Sequence, residues 1–456
     1  MLTMVSQNIS GVIAVSDSIV ANELPVVIPE NKIENQKALI GFFDKLHLLE
    51  KSKTGHLNIV HIGDSHIQAD LMTNKIRKLL QQKFGNGGRG FVFPHSIAKT
   101  NGSSDVKFSS NANWNAYRNI YPIANSLVGL SGIALSTKFV LFAMEMTIHD
   151  PAYFFDNIKI ITPNNENGFK LSIAKKIISE AVLVPKKNFH KIQKRETLLA
   201  IAHKYNVDID TLKTFNNLKT DKIARGKTLK IPTSEMVVKT AERYEYIPVS
   251  TKEISQNVVF ESEKPVEKIF LIPSKKLDEY NLNGLVLENK THGILYHNIG
   301  VNGSKFMDFN KYPLFFEQLE SLLPDLFIIS LGTNESFGKF STEKYLSDLQ
   351  FFLGTIHQKY PYAAVLLTTP PPSLFQKKYP NLVVADYAAK TLDLTNSQNI
   401  AVWNLHAQMG GVFGINQNFD SGLVQPDKIH YTNKGYEMQG QLLFEALIKA
   451  YQNTKN

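Results

Sequence analysis

The apolar positions of this chain follow two different rhythms. From residue 294 to the end, short apolar runs alternate with longer stretches in which apolar residues recur every three or four positions. This alternation predicts strands and helices in turn, as in an α/β fold in which a doubly wound parallel sheet lies between two layers of helices. The predicted strands are Tyr296–Ile299, Leu326–Leu331, Ala363–Thr369 and Ile400–Trp403. The predicted helices are Tyr312–Leu323, Glu343–Tyr360, Ala385–Ser397 and Lys434–Tyr451.

The first strand of this sheet lies far upstream. The apolar run Leu57–Val60 leads into Gly63, and residues Ile67 to Lys83 have the pattern of one long helix. We therefore expect residues 36–100 and 294–456 to form one α/β domain. Residues 1–35 show little pattern, so we expect a lead-in there, and no intact secretory signal is evident in it.

Between residues 101 and 293 the dominant period becomes two. Runs such as Lys138–Met146 and Lys268–Ile272 show the period-2 apolar pattern of half-buried strands. An insertion of this length between two parallel strands must fold as a domain of its own. We predict an inserted β-sandwich made of residues 101–188 and 233–293.

A shorter pattern lies inside this insertion, at residues 189–232. Leu198, Ile201 and Ala202 share one face of a helix, Leu212 belongs to a second short helix, and the segment closes with a strand at Leu229–Ile231. Two short helices flanked by two strands predict a self-contained βααβ module. A helical hairpin without a ligand is the alternative interpretation.

Chemically active side chains follow the predicted strands of the α/β domain. Gly63-Asp64-Ser65 ends the first strand and opens a helix, where unpaired backbone N–H groups favour any negative charge that develops near Ser65. Asp427 precedes His430 by three residues. At this spacing the carboxylate can fix the tautomer of the imidazole, and the imidazole can activate a serine hydroxyl.

Two further loops contain groups that could stabilise an oxyanion. The loop after Ile299 reads Gly300-Val301-Asn302-Gly303, and the loop after Leu331 contains Asn334. A glycine N–H and an asparagine amide are the donor types that an oxyanion hole requires. Because loop geometry decides which N–H points inward, both Gly300 and Gly303 remain candidates.

These four segments resemble the conserved blocks of the SGNH (GDSL-type) hydrolases, a family of serine esterases and lipases. The resemblance implies an SGNH/flavodoxin-like fold, with Ser65 as nucleophile, His430 as base and Asp427 as its partner. It also implies an oxyanion hole formed by Ser65, Gly303 and Asn334. His66 departs from the wider family, where leucine is usual, and the adjacent Glu335 is interpreted as a helix-start charge.

The resemblance is closer to one branch of this family. The run from Gly63 to Asp70, followed by the glycine-rich run from Gly85 to Phe91, is similar to bacterial peptidoglycan O-acetylesterases and related carbohydrate esterases. The run from Trp403 to Gly411 also resembles that branch.

The module at residues 189–232 resembles a LysM domain, which binds glycans that contain N-acetylglucosamine. The sequence departs from the usual pattern at Arg195-Glu196, where Gly-Asp normally precedes the Thr-Leu pair. The resemblance implies glycan contacts along two segments. Their residues are Lys194, Arg195, Glu196, Thr197, Leu198, Phe215, Asn216, Asn217, Leu218 and Lys219.

Composition excludes several other functions. Lys and Arg exceed Asp and Glu by 50 − 41 = 9 residues, and the excess is spread along the chain, so nucleic-acid binding is not implied. The absence of cysteine excludes disulfides, thiolate metal sites and a cysteine nucleophile. The 13 histidines show no zinc-ligand spacing, so neither a metal nor another cofactor is expected. No apolar run reaches the ~18 residues of a membrane span.

Together, these patterns predict a cell-envelope esterase that removes O-acetyl groups from peptidoglycan, located in the periplasm or envelope of a bacterium. Its expected partner is peptidoglycan or another acetylated polysaccharide that contains N-acetylglucosamine. Two alternatives stay open. The protein could be an esterase or acetyltransferase acting on another acetylated polysaccharide, or a peptidoglycan-binding protein with little activity. The sequence leaves the oligomeric state open.

Overall fold

The computed structural model of the chain describes residues 28–121, 123, 126–163, 167–249, 252–254, 257–396 and 399–454. Residues 1–27 of the predicted lead-in therefore lie outside the described residues. The chain divides into two compact units, one made of Met1–Leu171 with Val249–Asn456 and the other of Ser172–Pro248.

The first unit begins with the segment that contains the candidate nucleophile. Its elements are β1 (Ile33–Glu34), α1 (Ile40–Ser52), β2 (His56–Gly63), α2 (Ser65–Gln68), α3 (Leu71–Phe84) and β3 (Gly90–Val92). The prediction of one helix from Ile67 to Lys83 is wrong, because the chain breaks between α2 and α3. Asp70 adopts a left-handed conformation there, with φ of 58°.

Antiparallel strands follow in the first unit. Before the second unit they are β4 (Val106–Ser110), β5 (Asn115–Arg118), β6 (Ile133–Thr137), β7 (Met144–Ile148), β8 (Phe155–Ile161) and the start of β9 (Phe169–Pro185).

The second unit contains the remainder of β9 and the predicted module. Its further elements are β10 (Asn188–Lys191), α4 (Leu198–Lys204), α5 (Ile209–Phe215), β11 (Thr228–Ile231) and β12 (Met236–Pro248). Strands β9 and β12 pair as a long antiparallel ribbon, and β10 pairs with β11. Leu198, Ile201, Leu212 and Ile231 form a small apolar core between the two short helices and the β10–β11 pair.

The first unit resumes with strands that complete its antiparallel sheets. They are β13 (Lys252–Ile254), β14 (Asn257–Val266), β15 (Lys268–Pro273), β16 (Tyr280–Leu282) and β17 (Gly284–Glu288). In this unit the sheet orders are β9-β15-β7-β4, β13-β14-β8-β17-β3 and β16-β6-β5. These strands belong to the same compact unit as the parallel sheet.

The rest of the chain alternates strands and helices, as predicted. Its strands are β18 (Gly293–Gly300), β19 (Leu326–Ser330), β20 (Ala364–Thr368), β21 (Leu374–Phe375), β22 (Tyr379–Pro380) and β23 (Ala401–Trp403). Its helices are α6 (Phe306–Asn310), α7 (Pro313–Gln318), α8 (Thr333–Phe337), α9 (Thr342–Lys359), α10 (Leu382–Asp393), α11 (Leu405–Gln408), α12 (Gly411–Asp420) and α13 (Asn433–Asn453).

The main sheet has the order β1-β23-β20-β19-β2-β18. Its strands pair in parallel except for β1, which pairs antiparallel with β23 through Ile33 and Trp403. Alternate residues of β2 enter two different apolar clusters, Ile59 on one side and Val60 on the other. The sheet is therefore buried on both faces, as parallel sheets generally are.

Four buried charges fix the break after α2. Asp70 accepts hydrogen bonds from Arg77 Nη2 at 2.7 Å and Arg89 Nη2 at 2.5 Å, and Arg89 Nε donates to Asp105 at 2.6 Å. Burial alone would raise the pKa of Asp70, but the two guanidinium groups outweigh it and hold that pKa well below its usual range. The resemblance around Asp70 and Arg89 thus corresponds to a buried ion network that holds α2 apart from α3.

Replacing Asp70 with asparagine should strongly destabilise the first unit. Asparagine tolerates the left-handed conformation and keeps the size, so Asp70→Asn removes mainly the charge that neutralises two buried guanidinium groups. We expect the free energy of unfolding in urea to fall by about 3–5 kcal/mol. The control Asp393→Asn breaks a pair with Lys390 in which both side chains are at least half exposed, and should cost less than about 1 kcal/mol. Equal losses in the two variants would contradict this interpretation.

Candidate active site

The candidate active site lies where three neighbouring parallel strands end. Gly63 at the end of β2 is paired with Gly300 of β18 on one side and with Ser330 of β19 on the other. The loops that follow these strands therefore begin at the same level of the sheet. This carboxyl edge is where ligands bind in open α/β sheets.

Two glycines let the nucleophile helix approach this edge closely. A Cβ atom on Gly63 would lie 2.3 Å from Ile67 Cγ1 and 2.8 Å from the carbonyl oxygen of Ser330. A Cβ atom on Gly300 would lie 2.2 Å from the backbone nitrogen of Gln68. Larger residues at either position would push α2, and Ser65 with it, away from the sheet.

Ser65, His430 and Asp427 form a continuous hydrogen-bonded chain. Ser65 Oγ lies 2.9 Å from His430 Nε2, and His430 Nδ1 lies 2.7 Å from Asp427 Oδ2. Since a carboxylate can only accept, Nδ1 carries the proton and Nε2 is left to accept the serine proton. This is the arrangement of a nucleophile, a base and a group that orients the base.

The loop before α13 holds Asp427 in place. Asp427 Oδ1 accepts the backbone N–H groups of Ile429 at 2.9 Å and His430 at 3.0 Å. Partial burial opposes ionisation, but the hydrogen bonds from His430 and Ile429 lower the pKa of Asp427 below its usual value. Asp427 is therefore ionised at neutral pH and can stabilise a positive charge on the His430 ring.

The candidate oxyanion donors surround Ser65. Ser65 is the first residue of α2, where a helix N–H has no intrahelical partner. Ser65, Gly303, Asn334 and His430 line one open cleft of about 460 Å³. Gly303 adopts a left-handed conformation with φ of 85°, whereas Gly300 lies within β18 against Gln68. The geometry therefore favours Gly303 over Gly300 as the glycine donor.

Asn334 is oriented by the residue that precedes the nucleophile. Its Nδ2 donates to Asp64 Oδ2 and to the backbone oxygen of Ser304, each at 3.1 Å. The other oxygen of Asp64 accepts the N–H of His66 at 2.9 Å. Burial raises the pKa of Asp64 to about 7. The aspartate of the Gly-Asp-Ser run thus connects α2, which contains the candidate nucleophile, to the candidate oxyanion donor Asn334.

Glu335 lies in the first turn of α8, as its interpretation as a helix-start residue requires. It is, however, fully buried. Its Oε1 accepts the N–H of Phe306 at 2.8 Å, and Oε2 has no hydrogen-bond partner. Burial raises the pKa of Glu335 to about 8, and the nearby Asp64 adds to the shift. Glu335 is therefore largely protonated at neutral pH.

His66, which departs from the wider family pattern, packs beside the candidate base His430. Its ring centroid lies 5.3 Å from that of His430, and its Nδ1 lies 2.9 Å from the hydroxyl of Tyr436. Burial lowers the pKa of His66 to about 3, so this ring is neutral. A neutral ring packs against His430 without competing with it for a proton.

Gln68 joins the two sides of the cleft, a role that the sequence analysis did not assign. Its Oε1 accepts the N–H of Asn302 at 2.6 Å, next to Gly303. Its Nε2 donates to Thr100 Oγ1 at 2.7 Å and to the backbone oxygen of Asn101 at 2.6 Å. The sequence feature that could have identified Gln68 is its spacing of three residues from Ser65, because residues at this spacing share one face of a helix.

Much of the lining of the cleft was not predicted as part of the site. Amide and tyrosine side chains supply most of it, and of these only Asn302 lies in a loop described above. They are Asn101, Asn302, Gln425, Tyr431 and Tyr436.

In the second unit, the two segments with predicted glycan contacts are partly exposed. Lys194, Phe215 and Lys219 are exposed, with Phe215 at 53%. Leu198 is buried in the core of the module, and the Asn216 side chain hydrogen-bonds to the backbone of Lys230.

The Arg195-Glu196 departure has a defined structure. Arg195 adopts the left-handed conformation that glycine normally favours, with φ of 68°. Glu196 accepts the N–H of Gln193 at 2.6 Å and lies 2.8 Å from His190 Nε2. Thr197 caps α4 by accepting the N–H of Ala200. The loop therefore closes in spite of the substitution.

In the described part of the chain, no group of three or more histidine, cysteine or acidic side chains is arranged to hold a metal ion. No helix there is both long enough and apolar enough to cross a membrane.

Comparisons with known proteins identify two domains. Residues 282–438 match the model of the GDSL-like lipase/acylhydrolase family, and residues 190–232 match that of the LysM domain. No curated protein sequence gave a significant match.

Solved structures are also similar. A structure of a peptidoglycan O-acetylesterase in action aligns with a TM-score of 0.60 and 17% identity, covering 91% of this chain and 96% of that one. A carbohydrate esterase family 3 protein from Talaromyces cellulolyticus aligns with a TM-score of 0.28 and 14% identity, over 36% of this chain and 73% of that one. At these identities only the first alignment bears on the fold. The chain therefore contains a hydrolase domain of the GDSL-like (SGNH) lipase/acylhydrolase family and a LysM domain, in a fold shared with a peptidoglycan O-acetylesterase.

Proposed function

We propose that this protein is a cell-envelope serine esterase that removes O-acetyl groups from the glycan strands of peptidoglycan. The observation that carries the proposal is the chain Ser65–His430–Asp427, with distances of 2.9 Å and 2.7 Å. It lies in a cleft open to solvent, which suits a polymer substrate. The LysM domain supports a glycan as substrate, and the similar fold of a peptidoglycan O-acetylesterase agrees with it.

In the first half of the reaction, Ser65 Oγ attacks the acetyl carbonyl while His430 Nε2 takes the serine proton. The negative charge on the tetrahedral intermediate is held by the N–H groups of Ser65 and Gly303 and by the amide of Asn334. An anionic oxygen is a strong acceptor, so it competes with Asp64 and Ser304 for the Asn334 hydrogens. His430 then returns the proton to the sugar oxygen, the ester bond breaks, and acetyl-Ser65 remains.

In the second half, His430 removes a proton from a water molecule as the water attacks acetyl-Ser65. The second tetrahedral intermediate collapses, the proton passes from His430 to Ser65, and acetate leaves. A sugar hydroxyl in place of this water would produce acetyl transfer instead. The open cleft admits water, which favours hydrolysis.

The LysM domain would hold the enzyme on its polymer substrate. We propose that the exposed residues Lys194, Phe215, Asn217 and Lys219 contact the glycan, with Arg195 and Thr197 beside them. The remaining predicted residues, Glu196, Leu198, Asn216 and Leu218, would shape the loops that present them. Binding to peptidoglycan places the protein in the cell envelope or periplasm.

We also propose the domain boundaries of the sequence analysis. Residues 36–100 and 294–456 form the catalytic domain, 101–188 and 233–293 an inserted β-sandwich, and 189–232 the LysM module, after a lead-in at 1–35. Several antiparallel strands between residues 101 and 293 support the sandwich. We propose that it places the polymer across the cleft.

Acetate release tests the proposed function directly. The wild type should release acetate from a small aryl acetate and from O-acetylated peptidoglycan, and Ser65→Ala should lower both rates by about 10⁴-fold or more, since a triad acts as a unit. Acetate would be measured by an enzyme-coupled assay. Equal rates in the two forms would refute the esterase. Activity on acetylated xylan without activity on peptidoglycan would reassign the substrate.

Retention on insoluble peptidoglycan tests the LysM surface. Phe215→Ala removes an exposed aromatic side chain from the proposed contact. Because aromatic residues commonly dominate such contacts, binding should become about tenfold weaker. The bound fraction would be measured in a sedimentation assay. Leu199→Ala is the matched control, because Leu199 is also 53% exposed but lies outside the proposed contact. Equal binding by the two variants would exclude Phe215 from the glycan surface.

Glu335 makes stability depend on pH in a defined direction. Between its unfolded pKa near 4.5 and its folded pKa of about 8, the folded state holds a proton that the unfolded state has lost, so the free energy of unfolding falls as pH rises. Glu335→Gln has no carboxyl group to titrate, so its free energy of unfolding does not fall for this reason. Between pH 5 and pH 9 that free energy should therefore rise, relative to the wild type, by an amount on the order of a few kcal/mol, since one pKa unit corresponds to about 1.4 kcal/mol.

Urea unfolding at the two pH values measures this difference. Glu437→Gln, at an exposed position on α13, is the control and should track the wild type. A gap between wild type and Glu335→Gln that stays constant with pH would mean that Glu335 is ionised in the folded state.

A further inference from the structure

A second pocket lies one helical turn from the nucleophile. It has a volume of about 230 Å³ and is lined by residues of α2, β3 and β4 and by the loop between β3 and β4. Gln68 and Thr100 line this pocket, while Asn101 lines the catalytic cleft. Because Gln68 donates to both Thr100 and Asn101, one buried amide forms the wall between the two cavities.

The size of the pocket limits what it can hold. A volume of 230 Å³ is well above the ~30 Å³ of one water molecule and below the ~300–1,000 Å³ of pockets for drug-sized ligands. A single sugar residue is of that intermediate size. A polymer strand could therefore place one unit in this pocket while its neighbour lies at Ser65.

The lining suits an uncharged, amphipathic ring. Phe91, Phe93 and Phe108 supply aromatic surface, and Thr100 and Ser104 supply hydroxyl groups. The C–H face of a pyranose is apolar and can pack on these aromatic rings. Its edge carries hydroxyl groups, which can hydrogen-bond to Thr100 and Ser104.

The charge that Arg89 brings to the pocket wall is balanced by carboxylates. Arg89 is paired with Asp70 and Asp105, and together with Arg77 these residues carry two positive and two negative charges. Within the described residues, Arg89 Nη1 is buried without a hydrogen-bond partner, so it can donate to a sugar hydroxyl. Burial lowers the pKa of the lining residue His95 to about 4, so its ring is neutral at physiological pH. Lys107 also lines the pocket and is exposed to solvent.

We propose that this pocket is a second subsite of the catalytic cleft and binds the neutral sugar residue next to the acetylated one. The inference rests on the proposed function. It adds that the enzyme recognises at least two consecutive sugars, with Gln68 as the shared wall. Acetylated substrates with two or more sugars should therefore be better substrates than an acetylated monosaccharide.

A chain-length series tests the proposal. kcat/KM would be measured for acetate release from an aryl acetate, an O-acetylated monosaccharide, and the corresponding disaccharide and trisaccharide. In the wild type, the step from one sugar to two or three should raise kcat/KM at least tenfold. Ser104→Trp fills the pocket from an exposed position, and should reduce the ratio of oligosaccharide to aryl acetate kcat/KM at least tenfold.

Ser109→Trp is the matched control. Ser109 is exposed on β4 but does not line the pocket, so this variant should keep the wild-type ratio within about twofold. The thermal unfolding midpoint of each variant confirms that it is folded. All variants carry the same LysM domain, so a difference between them cannot come from that domain.

Three results would be decisive. A wild type that gains nothing from a second sugar would overturn the subsite, and so would an unchanged ratio in Ser104→Trp, because the pocket would then hold only water. A wild type that releases no acetate from any of the esters would instead refute the esterase itself. The failure of the subsite and the failure of the proposed function are thus distinguishable.

Discussion

The close approach of α2 to the ends of three parallel strands is the constraint on which the site depends. Gly63 and Gly300 are paired across β2 and β18, and neither leaves room for a Cβ atom. This approach brings Ser65, at the start of α2, level with the loops after β18 and β19. Gly303 and Asn334 lie on those loops. The candidate oxyanion donors can therefore surround Ser65, because Gly63 and Gly300 have no side chains to hold α2 away from the sheet.

Burial around this contact adjusts the charges of the site. Asp64, His66 and Glu335 lie behind the hydrogen-bonded chain, and each is shifted toward its neutral form by loss of solvent. Asp427 is only partly buried and accepts several hydrogen bonds, so it keeps its negative charge. In the proposed reaction, the negative charge of Asp427 lies beside the His430 ring, where an imidazolium would form. His66 and Glu335 are neutral at pH 7 and act through packing and hydrogen bonds, whereas Asp64, with a pKa of about 7, is present in both forms.

Sequence patterns predicted the structure best where a pattern has a single structural cause. The strands of the parallel sheet lie within a few residues of their predicted bounds, because both their faces are buried and their apolar runs are nearly continuous. The break at Asp70 was not predicted, because the amphipathic period continues through it and the ion pairs that stabilise it come from Arg77 and Arg89. Glu335 was interpreted as a helix-start charge and does lie in the first turn of α8, but its burial and its hydrogen bond from the Phe306 N–H were not predicted. Gln68 lies in the run from Gly63 to Asp70, but its contacts were not predicted, because its partners are 32 to 234 residues away in the chain.

The position of Gln68 connects substrate recognition to catalysis. Its carbonyl oxygen holds the N–H of Asn302, which directly precedes the candidate donor Gly303, while its amide nitrogen holds the loop that separates the cleft from the second pocket. A buried amide with both ends engaged has little freedom to rotate, because a rotation would leave buried polar atoms unpaired. Under the proposed subsite, a sugar that contacts Thr100 would act on the same hydrogen-bond network that holds the oxyanion loop. Binding energy from that sugar could then be used at the reacting carbonyl, which is how contacts away from the reacting atoms raise kcat rather than only lowering KM.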